Sequence, residues 1–329
     1  MLARLLRIAT MLQAALALLW LSLGLIYWEI IGFASVAAVL FAIIFFHGLF
    51  IATHFLRMQR ANRTDPMPPA GWTAVTAAWL SETLTAWRVF YWRQPWRSHL
   101  EADHVPAHTP ENLAKRHTGP LAGHDTPPVA RSARGVVFIH GFVCNRGLWL
   151  DWMHRLRGEG APFVAVNLEP VFGSIDGYAP QVEAAVRQLE HATGLPPLLV
   201  CHSMGGLAAR AWLRSVRVRG GDPLARVHRI VTIGSPHHGT RLGDGLPHVP
   251  AVRNGEQMRH RSAWLQDLAA QEPGLQMARF VCFYANCDNI VFPTSTATLA
   301  GADNRLVPGC AHVALAFHPR VMDESLALL

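Results

Sequence analysis

The stretch Leu198-Leu199-Val200-Cys201-His202-Ser203-Met204-Gly205-Gly206-Leu207-Ala208-Ala209-Arg210 constrains this chain more than any other. An apolar run of strand type stops at a serine, and two glycines and a run of small, helix-forming residues follow. That is the order strand, sharp turn, helix. A serine on such a turn is pushed out of the fold, with its side chain above the sheet. The strain of the turn, about 1–3 kcal/mol, persists only where surrounding packing holds it. Gly205 and Gly206 lack a Cβ, so the helix can start close against the strand. An ordinary Gly-rich turn also fits these residues, so their meaning depends on the rest of the chain.

From Gly135 onward, apolar strand-type runs alternate with helical stretches. Strands are predicted at Val136–Ile139, Phe163–Val166, Leu198–Cys201, Val227–Ile233 and Phe280–Tyr284. Helices are predicted at Leu148–Leu156, Gln181–Thr193, from the serine to about Arg214, and at Gln257–Ala270. This alternation implies an α/β domain over 135–329, a mainly parallel sheet with helices on both faces. Within it, 239–272 is an insertion carrying Pro247, Pro250, Met258, Trp264 and Leu265. It fits a cap over a pocket and equally a static crossover.

The N-terminus is the second strong feature. Thr10–Trp28 carries no charged residue, and neither does Gly32–Phe55 apart from His47 and His54. A helix needs roughly 20 apolar residues to cross the hydrocarbon core, so this region is long enough for two. A transmembrane helical hairpin over 1–63, turning near Glu29–Gly32, is expected. The alternative is a cleaved signal peptide followed by a buried helix. Arg4 and Arg7 precede the first run, Arg57, Arg60 and Arg63 follow the second, and the turn has no Lys or Arg. By the positive-inside rule both ends face the cytoplasm. A multi-pass inner membrane protein is expected, with the 135–329 domain on the cytoplasmic side.

Residues 64–134 form a connecting region. Trp79, Leu80, Leu84, Trp87 and Tyr91 recur at helical spacing, flanked by Trp72, Trp92 and Trp96 with Arg88, Arg93 and Arg97 interleaved. Such a helix either lies at the lipid interface or packs its aromatic face on the catalytic domain. Glu101–Arg134 is rich in Pro and His, without a period, and reads as a linker. Its histidines His104, His108, His117 and His124 lack regular ligand spacing.

The net charge of +7 comes almost entirely from arginine, Lys115 being the only lysine. No block of five like charges occurs, so a nucleic-acid partner is not expected. Five cysteines, Cys144, Cys201, Cys282, Cys287 and Cys310, show no C-x-x-C spacing. Neither a disulfide framework nor a zinc site follows, and no cofactor or metal is expected.

Four pieces carry the chemistry. His140-Gly141-Phe142 follows a strand directly, where a backbone N–H, that of Phe142, can face a developing oxyanion. The N–H of Met204, the residue after the serine, is the second such donor. His140 itself reads as a structural residue of that turn. Ser203 is a poor nucleophile until a neighbouring base takes its proton. Asp288, just past the last predicted strand, can orient an imidazole, with Asp303 as the rival acid. His312, in a late loop, is the candidate base, with His318 as its rival.

Three segments resemble the bacterial lipase and esterase branch of the α/β hydrolases. They are C-H-S-M-G-G around Ser203, His140-Gly141-Phe142, and Thr232-Ile233-Gly234-Ser235-Pro236-His237-His238-Gly239-Thr240. The order Ser…Asp…His is also the one expected of that fold. Cys201 departs from the G-x-S-x-G pattern, which has Gly there. The resemblance covers about 135–329 and implies an α/β-hydrolase fold and acyl-ester hydrolysis by Ser203, Asp288 and His312. Some lipases of this branch hold calcium near the histidine loop. Here Val313 and Ala314 follow His312 with no acid, so the metal is not carried over.

The expectation is a membrane-anchored serine carboxylic-ester hydrolase acting on a lipid or another hydrophobic acyl ester. An acyltransferase or a thioesterase would use the same triad. A catalytically silent hydrolase fold serving as a membrane interaction module is the third alternative. Protein partners are not indicated.

Overall fold

The computed structural model describes residues 1–105, 134–245, 247, 249–272 and 277–329. Most of the predicted linker, with His108, His117 and His124, lies outside the described residues.

Six strands form one sheet: β1 (Val136–Ile139), β2 (Phe163–Val166), β3 (Leu198–His202), β4 (Arg229–Ile233), β5 (Phe280–Tyr284) and β6 (Asp303–Leu306). Their order is β2-β1-β3-β4-β5-β6, and every pairing is parallel. The inner strands are mostly apolar because alternate residues feed separate cores on the two faces. Val137, Ile139, Leu199, Cys201 and Ile230 pack on one side. Val136, Phe138, Leu198, Val200 and Val231 pack on the other.

Three helices precede the sheet: α1 (Leu2–Ile26), α2 (Trp28–Ala61) and α3 (Trp72–Trp87). The helices around the sheet are α4 (Leu150–Gly158), α5 (Ala179–Thr193), α6 (Met204–Val218), α7 (Arg253–Gln257), α8 (Ala263–Ala270), α9 (His312–Leu315) and α10 (Pro319–Leu326). On the Cys201 side the sheet is covered by α5 and α6 through Val182, Val186, Leu189, Leu207 and Trp212. On the other side α4 and α10 contribute Trp152, Leu156, Val321 and Leu326. Each fully buried large apolar side chain contributes about 1.5–3 kcal/mol.

One predicted element needs correction, and one strand is not predicted. The helix expected over 257–270 is confined to α8, Ala263–Ala270, and α7 ends where that helix is expected to begin, at Gln257. The chain between them includes Arg261 at φ 52°, a left-handed backbone that no α-helix tolerates. The insertion is anchored by Met258 and Leu265 in the core and by an ion pair between Arg214 and Asp267 at 2.9 Å. The unpredicted strand is β6, which sequence periodicity does not reveal.

Among the described residues one helix, α1, is long and apolar enough to cross a membrane. Helices α1 and α2 contact one another, and the chain departs from helical geometry at Tyr27 and again at Gly32. The start of α1 and the end of α2 both reach the domain that carries the sheet. The Met1 ammonium is 2.8 Å from Glu169, and Ile51, Phe55 and Met58 share a cluster with Cys287, Phe292 and Ala311.

Helix α3 turns its aromatic stripe away from the sheet. Val75, Ala78, Glu82 and Ala86 are its buried residues. Leu80, Leu84, Trp87 and Trp72 are exposed, Leu84 at 73%. Trp79 packs sideways on α2, its Nε1–H donating to Gly48 O at 2.7 Å. Packing of the whole aromatic stripe on the catalytic domain, one of the two sequence alternatives, is therefore not what the fold adopts. Beyond α3 the chain continues as a wider helical segment, Arg88–Arg97, that accommodates Pro95.

Candidate active site

The order of strands reverses between β1 and β3. In open α/β sheets ligands bind outside the carboxyl ends of the strands at such a switch point. The two ends that meet here carry His140-Gly141-Phe142 and Ser203.

Ser203 has φ 55° and ψ −126°, a conformation few residues with a Cβ adopt. Its N–H donates to Ile233 O at 2.9 Å, and its carbonyl accepts from Gly206 N–H at 3.1 Å. Helix α6 starts at Met204, so the N–H groups of its first turn point back toward the serine. Gly141 lies directly against this turn, since a Cβ there would stand 2.7 Å from Ser203 Cβ. Cys201, the departure from the glycine pattern, points its side chain into the core beneath α6. The turn closes without a glycine at that position.

Asp288 and His312 meet in the interior, both nearly inaccessible to solvent. His312 Nδ1 and Asp288 Oδ2 are 2.9 Å apart. The other carboxylate oxygen accepts from the N–H groups of Ile290 at 2.9 Å and Val291 at 2.7 Å. Burial opposes a charge on His312, but Asp288 and then Glu82 outweigh it and raise its pKa above the ordinary value. Gly234, at φ 57°, abuts this pair, and a Cβ there would lie 3.0 Å from Asp288 Oδ2 and 3.2 Å from His312 Nδ1.

The rival candidates stand elsewhere. Asp303 is exposed on the edge strand β6 and pairs with Arg305 at 2.6 Å. His318 precedes α10, and burial together with Arg320 lowers its pKa. His140 has both ring nitrogens engaged. Nε2 accepts from Leu168 N–H at 2.9 Å, which leaves the proton on Nδ1, 2.9 Å from Gly141 O. Burial lowers its pKa to about 4, so it is a neutral brace of the turn. Among the described residues no three His, Cys, Asp or Glu side chains gather as a metal site.

The segment 232–240 is a scaffold for the loop after β4. His237 Nε2 and Thr232 Oγ1 are 3.0 Å apart. The buried Arg210 pairs with both oxygens of Glu272 at 2.7 Å and donates to His237 O at 3.0 Å.

Three residues at the site escape sequence reasoning. His202 Nε2 donates to the carbonyl of His312 at 3.1 Å, and burial with the nearby His312 lowers its pKa to about 3. Asn289 Oδ1 accepts from His312 N–H at 3.3 Å. Glu82, from α3, accepts from Val313 N–H at 2.9 Å and Ala314 N–H at 3.0 Å. The readable signal was a lone acid on the small, apolar face of a helix, between Ala78 and Ala86.

The pattern of the alpha/beta hydrolase family matches residues 136–323, more than half of the chain. The protein belongs to the alpha/beta hydrolase family. No curated protein matches the sequence. Among solved structures it is similar to Aspergillus fumigatus lipase B at 13% identity, with a TM-score of 0.53, covering 84% of this chain and 79% of that one. It is also similar to the mature form of the Bacillus licheniformis lipase BlEst2, at 16% identity and a TM-score of 0.49, covering 62% of this chain and 94% of that one. At 13% identity the likeness to the Aspergillus fumigatus lipase is one of fold.

Proposed function

We propose that this alpha/beta hydrolase is a membrane-anchored serine carboxylic-ester hydrolase with Ser203, His312 and Asp288 as its triad. The observation that carries the reading is the buried His312–Asp288 pair at 2.9 Å, at the same sheet end as a serine held at φ 55°. Ser203 Oγ attacks the acyl carbonyl as His312 Nε2 takes its proton. The resulting oxyanion is held by the N–H groups of Phe142 and Met204; losing one such donor typically costs about 100–1,000-fold in rate. His312 then returns the proton to the leaving alcohol, and water releases the acyl group by the reverse sequence. Asp288 keeps the Nδ1–H tautomer throughout.

The anchor reading assigns 1–63 to a membrane hairpin, 64–134 to a connector and 135–329 to the catalytic domain with its insertion 239–272. It is supported by the apolar α1, by the arginines at both outer ends, and by contact of both ends with the catalytic domain. The outward stripe of Leu80, Leu84, Trp87 and Trp92 lies on a helix that packs on α2 through Trp79 and suits the lipid interface. The substrate is accordingly an ester of a hydrophobic acyl chain.

Full-length protein in liposomes, assayed on p-nitrophenyl esters from acetyl to palmitoyl, tests the substrate class. A preference for octanoyl and longer chains is expected. A strong preference for acetyl, with no gain from liposomes, would reduce the reading to a small-ester esterase.

A further inference from the structure

We propose that Glu82 is a positioning residue for His312, so that the connector helix α3 is a working part of the active site. The proposal rests on the reading of His312 as the catalytic base. Glu82 is separated from the histidine loop by more than 200 residues of sequence, yet its carboxylate accepts from both Val313 N–H and Ala314 N–H. These amides open the short helix α9, whose first residue is His312. The first N–H groups of a helix have no partner within it. Left unpaired in a buried site, each would carry an uncompensated desolvation cost.

Around them, the backbone of His312 is held from three directions. Asn289 takes its N–H, His202 donates to its carbonyl, and Glu82 takes the two amides that follow. The ring is then fixed by Asp288 at Nδ1. Ala78 and Ala86, one helical turn to either side of Glu82, are buried with Ala311 and Cys287. The small face of α3 thus fits the loops that carry the acid and the base, and Glu82 is its only acid.

A structural acid would need only the hydrogen bonds. Glu82 is also an ionisable group beside the base, and its carboxylate form favours the protonated imidazole. Burial pushes the carboxyl itself up to about 7, against the pull of Val313 N–H and of His312. The other titratable groups facing this pair are Asp288, His202, Cys287 and Cys310. Replacing Glu82 by glutamine removes the charge but keeps one acceptor oxygen of the same reach.

The experiment uses the full chain in detergent micelles, as wild type, Glu82→Gln and Glu82→Asp. kcat and KM on a soluble short-chain ester are measured across pH, per site titrated with a fluorophosphonate. Misplacing a catalytic group by about 1 Å typically costs about 100-fold. Both variants are expected to lose about 10- to 100-fold in kcat with KM little changed. Glu82→Gln moves the acidic limb of kcat/KM to lower pH, and Glu82→Asp, which keeps the charge, leaves it in place. Wild-type kcat or an unmoved limb in Glu82→Gln would overturn the proposal. So would unfolding of both variants, by circular dichroism, which would make Glu82 a residue of the fold alone. Failure of the wild type itself to react with the fluorophosphonate would instead overturn the assignment of the triad.

Discussion

Asp288 Oδ2 lies 2.9 Å from His312 Nδ1, while its Oδ1 is bound by two backbone N–H groups, those of Ile290 and Val291. The carboxylate is thus aimed by its own loop before it meets the histidine. Asparagine at this position keeps the size but can turn an NH₂ toward Nδ1, favouring the wrong tautomer. Asp288→Asn is expected to lower kcat by about 10³–10⁴. Asp303→Asn is expected to stay near wild type, because Asp303 is exposed on β6 and faces Arg305. Steady-state kinetics on a soluble ester distinguishes them, and the opposite ranking would make Asp303 the acid.

The pH profile follows from the charges around His312. A base must be neutral to accept a proton, and Asp288 and Glu82 favour the protonated form, raising its pKa. The acidic limb of kcat/KM therefore lies above the ordinary histidine value of about 6.5, and activity rises as pH increases through it. His140 and His202 have lowered pKa values and stay neutral across this range. A limb well below 6 would mean that His312 is not the titrating base.

Much of the catalytic domain is legible in the sequence. β1 to β5 are mostly apolar runs, because each is buried on both faces. β6 is not legible, since Asp303, Asn304 and Arg305 form a polar edge strand that owes its place to pairing with β5. Ser203, Asp288 and His312 can be picked out because each follows a strand or sits in a late loop, and the chain order is informative. Glu82, His202 and Asn289 act through backbone atoms of a distant loop, and no local pattern encodes that meeting. The aromatic stripe of α3 has a clear helical period, but periodicity does not say whether protein or lipid covers a face. Here the small residues go inward and the large ones outward, the reverse of the usual amphipathic helix.

Stability should depend on the ion pair between α6 and the insertion. Arg210 and Glu272 are both nearly inaccessible and joined by two bonds of 2.7 Å. Removing one partner leaves a buried charge uncompensated, which typically costs about 3–5 kcal/mol. Glu272→Ala is expected to destabilise by that amount in denaturant unfolding, and Asp267→Ala, whose Arg214 pair is more exposed, by no more than about 1 kcal/mol. Equal effects would mean that the insertion is not fixed through Arg210.

The membrane reading predicts a cytoplasmic C-terminus. Arginines flank the start of α1 and the end of α2, and the positive-inside rule keeps such flanks on the cytoplasmic side. Alkaline phosphatase fused after Leu329 is expected to be inactive and a fluorescent protein at the same place bright. The reverse pattern would put the catalytic domain on the other side and discard the hairpin.

The central claim is that Ser203 is the nucleophile of a working triad. A fluorophosphonate probe tests it directly, because phosphonylation of the serine Oγ, with loss of fluoride, requires the hydroxyl and the base that activates it. The wild-type protein is expected to be labelled on Ser203, Ser203→Ala to be unlabelled, and His312→Ala to be labelled at least about 1,000-fold more slowly, since the triad acts as a unit. Equal labelling of wild type and Ser203→Ala, or a label mapped by mass spectrometry to another residue, would contradict the account.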